Sequence, residues 1–270
     1  MNKNLLLLSI AQGLFLTNNV TFIAINGLVG LSLAPVPWMA TLPVMGYVVG
    51  GALSTGIVAR SQQRFGRKVS FLLGLLVALI SAGIGAWAVL HSSFLLLVVA
   101  TVVAGYYSAN GQLYRFAAAE LCAPDYREKA VSLVMAGGLM GAIIGPNLAM
   151  HTKNWLGLPF AGAYVALAGI ALLSMAVMSY IEFPPVAPKK ASDQTGRPLN
   201  EIMRQPVFFI ATLSAALGYG VMNLLMAATP LAMQVCGMSF EDTAWVLQWH
   251  VISMFAPGFV TGHLIKRFGV

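Results

Sequence analysis

The sequence predicts an all-α integral membrane protein, a polytopic helix bundle, and three observations carry that prediction. Of its 270 residues 59% are hydrophobic and only 9% are charged, with a mean hydropathy of +0.81, whereas soluble domains carry about a quarter charged residues. Apolar runs long enough to cross a bilayer recur along the whole chain. The basic residues sit in short clusters between those runs. Such a chain cannot cover itself with polar surface, so the lipid bilayer is the solvent around most of it.

Taken in order, apolar spans fall at about 5–29, 37–58, 70–90, 94–118, 130–150, 158–181, 206–229 and 242–262, each near the ~20 residues of one helical crossing. They are continuously apolar, whereas a barrel strand alternates over ~10 residues. A helix also satisfies its own backbone hydrogen bonds in hydrocarbon. The first run opens like a signal peptide, but no small-x-small cleavage site follows Leu5 to Leu16 and the run continues to about Val29, so it reads as an uncleaved helix. The third span reads as apolar throughout, with Leu75 expected to face lipid.

Orientation follows from the basic residues, which are retained at cytoplasmic helix ends. Lys3, the group from Arg60 to Lys68, Arg127 and Lys129, the loop residues Lys189 to Arg204, and Lys266 with Arg267 all share one face, thirteen of the fifteen basic residues. A multi-pass protein of the cytoplasmic (inner) membrane with a cytoplasmic N-terminus is expected. The proline-rich, mixed-charge stretch 182–205 reads as a cytoplasmic linker dividing a six-helix bundle, 1–181, from the start of a second bundle, 206–270.

The net charge of +7 does not imply nucleic acid as a partner, because no basic stripe interleaved with aromatics lies on a soluble segment. Cys122 and Cys236 fall on opposite sides of the membrane, with no CxxC and no zinc spacing, so no metal and no cofactor are expected. Nucleophile elbow, HExxH and phosphate-binding loop are all lacking. No enzymatic activity is expected.

An internal repeat organises the chain. Arg64-Phe65-Gly66 follows the second span and Arg267-Phe268-Gly269 follows the eighth, so the same tripeptide closes the second helix of each half. With Arg67 and Lys68 in the first copy and Gly262 and Leu264 in the second, these loops resemble the signature G-x-L-x-D-R-x-G-R-K of the major facilitator superfamily. Glycine suits a tight turn there, and the basic residues can bond helix ends. The family's aspartate is Gln63 in one copy and Lys266 in the other, which removes the carboxylate of the family's charge pairs. Gly141, Gly145 and Pro146 in the fifth span are similar to the G-x-x-x-G-P motif of superfamily antiporters, although Ala149 and Met150 replace its later glycines. The bare-residue reading of that motif is close helix packing with a kink. The resemblance implies a major facilitator-like bundle with about eight of an expected twelve transmembrane helices. It leaves open whether the chain is a fragment or a naturally shortened protein.

Polar side chains at bilayer depth face a cavity or a partner helix. Gln12, Asn19 and Asn26 recur every seven residues in the first span; Tyr107, Asn110 and Tyr114 share one side of the fourth; Tyr219 and Asn223 lie one turn apart in the seventh. The resemblance places a substrate cavity on the first, fourth and seventh helices, so these eight residues are its candidates. The alternative for each is interhelical hydrogen bonding. Arg115 and His250 are candidate charge or proton sites, with snorkelling to the membrane boundary as the other reading of Arg115. The function implied is secondary active transport of a small organic solute by alternating access, with protons as candidate coupling ion and antiport or efflux as the lean. The contrasting reading is a truncated, non-transporting membrane protein or scaffold. Oligomeric state is open.

Overall fold

The computed structural model describes residues 2–184, 198–257, 259, 260 and 268. Among them the chain is helical without strands, running α1 (Lys3–Leu33), α2 (Leu42–Leu90), α3 (Phe94–Gly111), α4 (Tyr114–Glu120), α5 (Arg127–Thr152), α6 (Ala161–Ser179), α7 (Leu199–Met203), α8 (Pro206–Val235) and α9 (Phe240–Phe255). The first seven predicted spans lie on these helices. The eighth lies on α9, and its last residues fall outside the described ones.

At 1.5 Å per residue, the 49 residues of α2 would reach about 74 Å, more than twice the ~30 Å hydrocarbon core. The second and third spans are in fact two helices meeting at Gly66, whose φ of 81° and ψ of 172° lie outside any helix. That backbone region is essentially reserved for glycine. The glycine of the repeated tripeptide is therefore what turns the chain back into the bilayer.

α1 is the central helix. It packs along α5 and also touches α6, α3 and α8, while α2 packs on α3 and α6. Two apolar clusters fill the bundle, one around Phe22, Tyr47 and Tyr164, the other around Phe15, Phe71, Tyr107 and Tyr114. In the second cluster, Phe15 meets Tyr107 edge-on at 5.3 Å and Phe71 meets Tyr114 at 4.7 Å. Such T-shaped pairs add to the gain from burial.

The third span departs from expectation in two ways. Leu75 is 0% exposed, part of the core rather than of the lipid-facing surface. Ser70 and Ser81 make the span polar on that same inner side, donating to Asn110 Oδ1 at 3.0 Å and to the Ala100 carbonyl at 2.8 Å. A serine in an apolar run barely lowers the mean hydropathy, so the average conceals which face is inward.

A candidate solute cavity between the helices

The ends of the bundle are built differently. At one end, here the basic end, Arg67 grips Glu120 with two bonds, Nη2 to Oε1 at 2.6 Å and Nε to Oε2 at 3.1 Å, and also bonds Gln62. Lys68 Nζ donates to the Ser179 carbonyl at 2.6 Å. Asn4 exchanges bonds with the backbone of Glu182, and Asn2 donates to the Leu121 carbonyl at 2.9 Å. The signature loop thus ties α2 to α4 and α6. The carboxylate that pairs with Arg67 is that of Glu120, in a bidentate geometry that arginine favours. Arg64 lies over its neighbour Phe65 at 5.2 Å. The second signature copy, with Arg267 and Gly269, falls outside the described residues.

At the opposite end, α5 and α9 meet directly. Asn147 Nδ2 donates to Gln248 Oε1 at 2.9 Å, Lys153 Nζ sits 5.3 Å from the Phe240 ring, and Phe160 meets the same ring at 5.1 Å. Gly27 of α1 abuts Ala227 and Leu231 of α8. Nearer the basic end, the same helices diverge around a cavity of about 370 Å³. Its wall takes Gln12 and Asn19 from α1, Arg115 from α4, Ser132 and Met135 from α5, and Tyr219 from α8. Phe15, Phe255 and three more methionines, Met222, Met226 and Met254, complete most of the apolar surface.

Four of the predicted site residues, Gln12, Asn19, Arg115 and Tyr219, therefore share one cavity. Asn19 donates to the Tyr47 hydroxyl at 2.7 Å, which fixes its amide; Gln12 Oε1 is buried without a partner. Arg115 is exposed on its helix rather than enclosed, and is the cationic group of the wall. It has no salt bridge; among the described residues only Arg67 and Glu120 form one.

The structure does not bring the other candidates to this wall. Asn26 is fully buried, donating to the Phe22 carbonyl at 2.7 Å and accepting from Tyr164 at 2.8 Å. Asn110 is likewise buried between Ser70 and the Tyr106 carbonyl. Tyr107 packs its ring on Phe15 and Tyr114 on Phe71 in the core, although the Tyr107 hydroxyl has no hydrogen-bond partner. Asn223 turns its amide onto the Tyr219 carbonyl of its own helix at 2.9 Å. His250 on α9 has a buried Nε2 without a partner.

The glycine–proline motif forms the seam between α5 and α1. A side chain at Gly141 would overlap Leu16 and Thr17, and Gly145 lies against Val20. Thr21 Oγ1 donates to the Gly145 carbonyl at 2.8 Å, just before Pro146. Gln248, a polar residue of the eighth span legible in the sequence, pairs with Asn147, which was missed, as were Tyr47 and Gln112. Tyr47 and Asn147 are single polar groups in apolar runs, and that isolation is the only signal they give.

The Major Facilitator Superfamily model matches residues 5–270. The riboflavin transporter RfnT of Brucella anthropi is 39% identical over 99% of this chain, and the match covers 68% of that protein. An uncharacterised MFS-type transporter of Bacillus subtilis, YddS, is 26% identical over 86% of the chain and is covered over 56% of its length. The crystal structure of a D-xylose–proton symporter superposes with a TM-score of 0.66 at 15% identity, covering 98% of this chain and 69% of that one. With the family match running nearly end to end and the repeat, the signature turn and the bundle all in agreement, the chain is a multi-pass membrane protein that belongs to the Major Facilitator Superfamily.

Proposed function

We propose that the chain serves secondary transport of a flat aromatic solute of the riboflavin class, with the cavity between α1, α5, α8 and α9 as its binding site. The observation that carries this reading is the composition of the wall. Methionine and aromatic side chains offer polarizable surface to a planar ring, while the amides of Gln12 and Asn19, the Tyr219 hydroxyl and Arg115 can pair with ring carbonyls and hydroxyl groups. The volume of about 370 Å³ lies within the ~300–1,000 Å³ of small-molecule sites. The 39% identity to a riboflavin transporter supports the same solute class.

In this reading residues 1–181 and 206–270 are two bundles joined by the linker 182–205, and they rock about the midplane site. The basic end is cytoplasmic, so the cavity is the inward-open state and the Asn147–Gln248 and Phe160–Phe240 contacts close the outer side. The membrane is the inner membrane. An antiport or efflux mode coupled to protons rests on the α5 motif and on His250, whose buried Nε2 has no hydrogen-bond partner.

The test is uptake and efflux of labelled riboflavin in cells dependent on external riboflavin, expressing the longest in-frame product of the gene. Uptake that saturates and is lost in Gln12→Leu plus Tyr219→Phe supports the site. Absence of flux in either direction, with folded protein present, sinks the transport reading and favours the scaffold. Release from preloaded vesicles only when a pH gradient is imposed would select proton antiport.

A further inference from the structure

A second cavity, of about 390 Å³, lies apart from the solute site where the starts of α1 and α5 meet the turn after α4. Its floor is apolar: Leu5 and Ala130 are buried, and Leu133 is half-buried. Its rim is polar, with Asn2, Tyr126 and Lys129 all exposed. Along α5 the lining runs from Tyr126 to Leu133, seven residues or about 10 Å of helix axis. The polarity therefore changes from cationic to hydrocarbon-like in a line parallel to the bilayer normal.

We propose that this groove binds an anionic phospholipid, with its phosphate on Lys129 and the upper part of one acyl chain on Leu5, Ala130 and Leu133. The charge argument is local. Lys129 Nζ sits 5.6 Å from the Tyr126 ring, held by the ring face, and among the described side chains the one salt bridge lies elsewhere. Lys3 and Arg127 are exposed at the same end, with Glu128 and Glu182 as exposed carboxylates there; Glu120 is engaged by Arg67. A tyrosine and a lysine at a helix end mark headgroup depth, and basic pockets between transmembrane helices recognise anionic headgroups. A free phosphate would leave the apolar floor uncovered, whereas a lipid fills both parts.

Cys122 lines the groove and Cys236 is exposed well away from it on the turn after α8, so the native thiols report on occupancy. The protein is reconstituted in nanodiscs of phosphatidylcholine alone or with phosphatidylglycerol, and alkylation by neutral N-ethylmaleimide is followed at each cysteine by mass spectrometry. The Cys122 rate relative to Cys236 should fall at least severalfold with phosphatidylglycerol. It should not fall in Lys129→Glu, and should fall again in Lys129→Arg. Equal relative rates in the two lipids for the wild type would overturn the proposal, as would undiminished protection in Lys129→Glu. Equal protection by millimolar inorganic phosphate in phosphatidylcholine discs would also overturn it, showing an anion site and not a lipid one. Should Lys129→Glu fail to reconstitute, Leu133→Gln, which spoils only the floor, must reduce the protection instead.

Discussion

α1 and α8 are alike in length and hydropathy and differ in how far the described residues of this chain cover them. They span 31 and 30 residues with hydropathies of 1.5 and 1.7, and each carries an asparagine near its middle, Asn19 and Asn223. Yet 89% of the apolar stretch of α1 is buried inside the protein against 0% for α8. Hydropathy reports that a helix leaves water; it does not report whether protein or lipid receives it. In hydrocarbon the two environments are nearly equal in transfer free energy, and shape and hydrogen bonding decide between them.

The comparison can be broken most severely at glycine. A side chain at Gly30 of α1 would overlap the backbone carbonyl of Ala40, which cannot swing aside, whereas nothing lies within 4 Å of a side chain at Gly218 of α8. Gly30→Val should cost about 1–3 kcal/mol or more and sharply lower the yield of monodisperse protein in size-exclusion chromatography. Gly218→Val should leave the profile unchanged. Similar losses in both would mean that α8 is as enclosed as α1.

Water access sharpens the contrast next. Cysteines placed at Gln12, Asn19 and Tyr219 should label with a small hydrophilic thiol reagent at least an order of magnitude faster than cysteines at Asn110 or Leu75, because only the first three line the cavity. Comparable labelling at Asn110 would place that residue on an aqueous path after all. On the proposed transport reading, Asn19→Leu should lower solute flux per folded protein, measured beside a thermal midpoint that the lost bond to the Tyr47 hydroxyl lowers only modestly.

Smaller effects come from single bonds. Asn26→Leu removes the Tyr164 and Phe22 partners and should cost roughly 0.6–1.7 kcal/mol, the range of hydrogen bonds between membrane helices. Asn223→Leu, which loses only a bond within its own turn, should fall below that in a thermal-shift assay. At the surface, Glu120→Gln should weaken the Arg67 contact by about 0–1 kcal/mol, and Glu120→Asp should do the same by shortening the reach. The partly exposed pair is screened by salt, so the difference from wild type should shrink as ionic strength rises. A salt-independent difference would point to packing rather than charge.

Much of the candidate site was legible because the cost of polar groups in lipid makes each one informative. Gln12, Asn19 and Tyr219 stood out for that reason, and all three line the cavity. Asn26 and Asn110 stood out equally, and the structure gives them hydrogen-bond partners inside the bundle. A seven-residue spacing puts Gln12, Asn19 and Asn26 on one side of α1, but over 14 residues, about 21 Å of axis, that side passes from the cavity to the packed seam with α6. Spacing gives the face of a helix, not what lies opposite at each depth.

By itself the sequence determined the solvent, the order of the apolar spans and the turn at Gly66, because these depend on transfer free energy, hydrogen bonding in hydrocarbon and the φ of one residue. It also determined the repeat that names the superfamily. Only the tertiary structure decided that Leu75 faces inward, that Glu120 pairs with Arg67, and that Arg115 borders a cavity while Asn110 does not. Those outcomes turn on which helices are neighbours. Neighbour choice among apolar helices is set by surface shape and a few polar pairs distant in the chain, quantities that no local property of the sequence contains.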